Sequence, residues 1–76
     1  MLHIAKSKRF AERLNKCLDS IGVPQEPRNR CAILSKMLRI SRPQTRMLIE
    51  GYQLPDETVL HQLETEFDVN ADWLLK

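Results

Sequence analysis

The sequence predicts one small all-α domain of five helices. Three observations carry this expectation. Apolar residues return every three or four positions in each candidate segment, the spacing that gathers them on one helical face. No stretch alternates apolar and polar residues around β-branched side chains, as a half-buried strand does. The two glycines and four prolines fall between periodic segments or in first turns, where helices stop and start.

The first helix is expected over about residues 8–20, with Ser7 as N-cap. Phe10, Leu14, Cys17, Leu18 and Ile21 share its buried stripe, while Lys8, Arg9, Arg13 and Lys16 lie elsewhere on the wheel. Gly22 suits the position after the last turn, and Pro24 prevents continuation. The second helix opens at Pro27, whose missing N–H costs nothing in a first turn, and runs to about Leu38. Cys31, Leu34, Ser35 and Leu38 repeat at helical steps, broadened by Ala32, Ile33 and Met37.

The third helix begins after Arg39-Ile40. Ser41 with Gln44 three residues on fits a capping box, and Pro43 is tolerated because first-turn amides have no partner inside the helix. Thr45, Leu48 and Ile49 should face inward, and Arg42, Pro43, Arg46, Met47 and Glu50 outward. Gly51 closes the helix. The fourth helix is capped by Asp56 and carries Val59, Leu60, Leu63 and Phe67 inward. Asn70 caps a last short helix over 71–76, in which Trp73 is expected to fill the core. Residues 1–6 are left as a flexible arm or an extra interface strand.

The totals exclude several function classes. A single domain of 76 residues buries only about 60% of its extended-chain surface and has little room for a deep enzyme pocket. Cys17 and Cys31 with His3 and His61 supply four ligand-type residues, but their spacing matches no zinc finger. The cysteines read as reduced thiols on core faces, and no metal or other cofactor is expected. No Ser/His/Asp grouping or glycine-rich phosphate loop is present, so no enzymatic activity is expected. No apolar run approaches the ~20 residues of a membrane span, and the start lacks the apolar core of a signal peptide. A cytoplasmic protein is expected.

Charge is unevenly spread. Residues 1–49 hold eleven Lys and Arg against three Asp and Glu, whereas residues 50–76 hold one against seven. A basic front and an acidic back suggest that one side meets a polyanion.

The order and spacing of Leu34-Ser35, Leu38, Ile40-Ser41, Leu48, Gly51 and Leu54-Pro55 resemble the lambda-repressor-like, Cro/repressor-type DNA-binding domains. The ending Val69-Asn70-Ala71-Asp72-Trp73-Leu74-Leu75 is similar to the ending common in such bacterial regulators, and the resemblance covers residues 7–75. It implies a compact five-helix domain, a single unit over 1–76, with a central helix-turn-helix over 28–50. Two departures stand out. Arg39 occupies the turn position usually held by glycine, and Pro43 occupies one that usually forms hydrogen bonds.

On this resemblance the third helix enters the major groove of double-stranded DNA. Arg42 and Arg46 then read bases, since arginine grips guanine O6 and N7 with two parallel bonds. Gln44 contributes from the rim, and Pro43 and Met47 offer apolar contact. Arg28, Asn29 and Arg30 at the start of the second helix, with Ser41, Tyr52 and Gln53, would hold backbone phosphates. Leu74 and Leu75 would contribute to a homodimer contact. The expected function is sequence-specific DNA binding by a transcriptional regulator, a repressor, working at the nucleoid. The alternative on the same fold is a protein-interaction module, antitoxin-like or accessory, that does not bind DNA.

Overall fold

The computed structural model describes residues 6–76. His3 and all but the last residue of the expected arm lie outside the described residues. Five helices follow in order: α1 (Lys6–Ser20), α2 (Pro27–Leu38), α3 (Arg42–Glu50), α4 (Glu57–Phe67) and α5 (Ala71–Leu75), with no strand among the described residues. α1 packs against α3 and α5, α2 against α3 and α4, and α4 against α5. The first helix is already formed at Lys6, so Ser7 lies inside its first turn and is not its cap.

The core follows the 3.6-residue period. Phe10, Leu14 and Leu18 of α1 meet Leu34 and Leu38 of α2, Leu48 of α3, Leu63 of α4 and Leu74 of α5, all essentially inaccessible to water. Each such side chain contributes roughly 1.5–3 kcal/mol relative to exposure, which offsets the chain entropy lost in so small a domain. Cys17 and Cys31 are free and buried, as expected of core thiols. Burial pushes the Cys17 thiol up from its ordinary value.

Three core expectations are corrected, the first being Ile33, which is exposed instead of broadening the α2 stripe. Ile21 is 55% exposed: its amide still donates to the Cys17 carbonyl at 3.3 Å, but the helix stops at Gly22 and the end of the stripe is left uncovered. Trp73 is 41% exposed and Leu74 takes the core position. Trp73 instead lies beside Arg13, whose guanidinium carbon is 5.1 Å from the ring centroid. A fully buried Leu74 offers no surface to a second copy, so it is withdrawn as a dimer contact; Leu75 is half-buried.

The helix stops share one device. Gly22, Arg39, Gly51 and Asp68 all adopt left-handed backbone, with φ of 81°, 57°, 82° and 53°. After each, the next amide donates to a carbonyl five residues back: Val23 to Leu18, Ile40 to Ser35, Tyr52 to Met47 and Val69 to Glu64, at 2.9–3.2 Å. Arg39, at the position usually held by glycine, therefore carries backbone strain on the order of 1 kcal/mol. At Gly51 a side chain is excluded a second way. A Cβ there would sit 2.8 Å from Lys8 Cδ and 3.1 Å from Lys8 Cα, because the end of α3 presses on α1.

Candidate functional site

The candidate site is built on α3 and the start of α2. Ser41 caps α3 as expected: its Oγ accepts the Gln44 amide at 3.2 Å. The Thr45 hydroxyl donates to the Ser41 carbonyl at 2.8 Å, so the side chain is satisfied although fully buried. Thr45 and Leu48 fix the inner face of α3, and Ile49 is half-buried beside them. Arg42, Pro43, Arg46 and Met47 are consequently exposed on the outer face, and Gln44 is half-buried at its edge.

The start of α2 is joined to the start of α3 by Cys31, whose thiol donates to the Arg42 carbonyl at 3.3 Å. Between them opens a cleft of about 530 Å³. Three arginines line it, Arg28 from α2 and Arg42 and Arg46 from α3, together with Glu26 and Glu50. Sequence spacing placed Arg42 and Arg46 one turn apart; their convergence with Arg28 comes only from the packing of α2 on α3.

The acidic members have distinct partners. Glu26 caps α2, its two carboxylate oxygens accepting the Arg28 and Asn29 amides at 2.9 and 3.1 Å. Free amides at a helix start would suit a phosphate, but here a carboxylate of the chain already occupies them. Glu26 is the cap of α2 that sequence reasoning missed. Its signal was available, an acceptor immediately before Pro27 at the first helical position. Glu50 accepts from Arg46 Nε across one turn of α3. This hydrogen bond, then the charge of Glu50, pushes the Arg46 guanidinium above its ordinary value.

Arg30 does not belong to the site. It is 4% exposed and points into the body. Its guanidinium donates to Asp19 at 2.5 Å, to Asn15 Oδ1 at 2.9 Å, and to the carbonyls of Val23 and Pro24 at 2.9 and 3.0 Å. Such a residue ties the α1–α2 connection to α2 and has no donor left for a phosphate. Asn29 is exposed, with only its backbone amide engaged by Glu26.

Tyr52 and Gln53 are exposed just past α3. Tyr52, 64% exposed, is stacked by the Lys8 ammonium 4.7 Å from its ring centroid. The same ammonium donates to the Glu50 carbonyl at 3.1 Å. α3 has no basic residue in its last turn, and Lys8 supplies from α1 the cation that its C-terminal dipole favours. Lys8 was missed in the sequence because the contact spans 42 residues.

Part of the basic front is thus committed within the molecule. Arg9 donates to the Lys76 carbonyl at 2.8 Å and Arg13 to the Trp73 carbonyl at 2.5 Å, covering the end of α5, while Lys8 covers the end of α3. The basic surface of the site itself is narrower than the composition implied: Arg28, Arg42 and Arg46 around one cleft. Among the described residues no group of three or more metal-ligand side chains gathers, and no helix is long and apolar enough to cross a membrane. Comparison of the chain with protein-family models, with curated proteins and with solved structures finds no match.

Proposed function

We propose that the chain is a sequence-specific double-stranded DNA-binding module of the helix-turn-helix, lambda-repressor-like kind, serving a transcriptional regulator, most simply a repressor. The observation that carries this reading is the convergence of Arg28, Arg42 and Arg46 on one cleft beside the exposed face of α3. A nine-residue helix, capped at Ser41 and closed at Gly51, projects two arginines and two apolar side chains outward. It has the dimensions of an element that lies in a major groove. Arg42 and Arg46 read bases, Gln44 assists from the rim, and Pro43 and Met47 meet thymine methyls. Arg28 holds a phosphate with Tyr52 and Gln53 at the far end of α3, and Asn29 takes part through its side chain. The mechanism uses no cofactor and breaks no covalent bond. Its setting is the cytoplasm, at the nucleoid.

The proposal includes a homodimer. Two copies would place their α3 helices ~34 Å apart on a two-fold site. Of the expected contact pair, Leu75 remains available.

A second reading is favoured by a specific observation. Cys17, Ile21, Phe67, Val69 and Trp73, with Lys16 and Ser20 at the α1 side, line a mostly apolar groove of about 400 Å³ between the end of α1 and the α4–α5 junction. On that reading the chain is a protein-interaction module and α3 is a solvated face. Selection of bound duplexes from a random-sequence pool separates the two. DNA binding predicts an enriched consensus that the Arg42→Ala and Arg46→Ala variants lose while remaining folded. No enrichment by the folded protein favours the interaction module.

A further inference from the structure

We infer that Glu50 is a specificity-determining positioning residue, one that holds the Arg46 guanidinium ready for a guanine while weakening the grip on DNA of any sequence. The inference rests on the DNA-binding reading above and assigns Glu50 a role within it.

Glu50 is poorly placed for helix stability. It sits in the last turn of α3, where the dipole disfavours a carboxylate. Its ion pair with Arg46 is exposed, at 72% and 36% for the two side chains, and such pairs add little to stability. A carboxylate on a face that approaches phosphates also repels them. Stability and raw affinity therefore both argue against an acid here.

Geometry supplies the reason for one. The base of Glu50 is fixed, because its carbonyl accepts from Lys8 and Gly51 presses on α1. Its carboxylate takes the Arg46 Nε–H, across a single turn. An arginine held through Nε keeps both terminal nitrogens free, and these present two parallel N–H groups end-on. That pair matches guanine O6 and N7. Among the described residues no protein acceptor engages those terminal nitrogens. A flexible arginine ordered before binding loses less entropy on contact, and its fork is aimed. Glu50 thus exchanges general affinity for discrimination.

The two effects have opposite signs, which makes the role testable. The unaltered protein, Glu50→Ala, Arg46→Ala and the double variant would each be applied to a random-sequence duplex pool. Affinities would then be measured for the selected duplex, its single-base variants and an unrelated duplex. Thermal unfolding serves as the control for folding. Glu50→Ala is expected to lower guanine preference at one position about three- to tenfold. It is expected to bind the unrelated duplex more tightly, with a salt dependence steeper by up to about 0.9 in log–log slope. Neither the preference nor its loss should survive in the Arg46→Ala background. Unchanged guanine preference in a folded Glu50→Ala variant, or equal loss without Arg46, overturns the inference and leaves DNA binding standing. Failure of the unaltered protein to bind any duplex at low salt removes the parent reading and the inference together.

Discussion

Replacing Arg30 by alanine separates a structural arginine from a DNA-contacting one. The sequence placed Arg30 in the first turn of α2, beside Arg28, as a phosphate ligand. In the structure it is buried, with Asp19, Asn15 and the carbonyls of Val23 and Pro24 around it. Arg30→Ala removes a charged donor from all four acceptors and leaves a void beneath the α1–α2 connection. Breaking a fully buried ion pair costs about 3–5 kcal/mol. The Asp19 side chain is 45% exposed, however, so water compensates part of its loss. The three remaining acceptors are less easily resolvated, at about 1–3 kcal/mol for a buried group left unpaired. A loss of about 2–4 kcal/mol follows. In a domain of this size each kcal/mol moves the midpoint by about 4–8 °C, so the thermal unfolding midpoint should fall by about 8–30 °C. Arg30→Lys keeps the charge but not the planar fork, and should recover less than half of the loss. Urea unfolding followed by circular dichroism measures both. An Arg30→Ala variant within about 0.5 kcal/mol of the unaltered protein, the range of ordinary surface substitutions, refutes the reasoning. The phosphate-ligand reading would be restored if that variant also bound DNA less well.

Arg39→Gly relieves a left-handed residue at the α2 stop and should stabilise by about 0.5–1 kcal/mol, read as a rise of a few degrees in midpoint. Glu26→Ala removes the cap from α2 and should cost about 1 kcal/mol in urea unfolding. It also frees two amides beside Arg28, so duplex affinity at low salt should rise while stability falls. The buried Cys17 thiol binds its proton more tightly folded than unfolded. Its contribution is therefore constant below the ordinary thiol value of about 8.5 and declines as pH rises through the folded value. Unfolding midpoints should fall above that pH, Cys17→Ser should flatten the fall, and thiol reagents should label Cys17 slowly until the protein unfolds.

The helices were legible because each longer segment repeats its apolar residues over two or more turns. The caps at Ser41, Asp56 and Asn70 were legible because they are local in sequence. What was not legible lies where the period is too short or the contact too distant. Trp73-Leu74-Leu75 spans one turn, and three consecutive apolar residues carry no phase, so Trp73 and Leu74 were exchanged. Ile21 fitted the stripe by number, but it lies at the end of the helix, where the stripe is left uncovered. Arg30 carries the spacing of a core position. It lies four residues before Leu34 and eight before Leu38, on the buried stripe, and Asn15 and Asp19 sit four apart on α1 to receive it. Asp68 as a left-handed stop had no glycine to announce it. In the candidate site, Arg42 and Arg46 followed from helical spacing. Arg28 joined them through packing, and Lys8 through a contact between distant segments.

The central claim, that Arg28 holds a DNA phosphate while Arg42 and Arg46 of α3 read bases beside it, is tested most directly by the salt dependence of binding to a selected duplex. A steep linear fall of log affinity with log salt is expected, about −0.9 for each phosphate held. Arg28→Ala should lower that slope by about 0.9 and weaken all duplexes alike, whereas Arg42→Ala and Arg46→Ala should lose base preference. A folded protein whose affinity for duplex DNA is flat with salt, or untouched by removal of all three arginines, would contradict it.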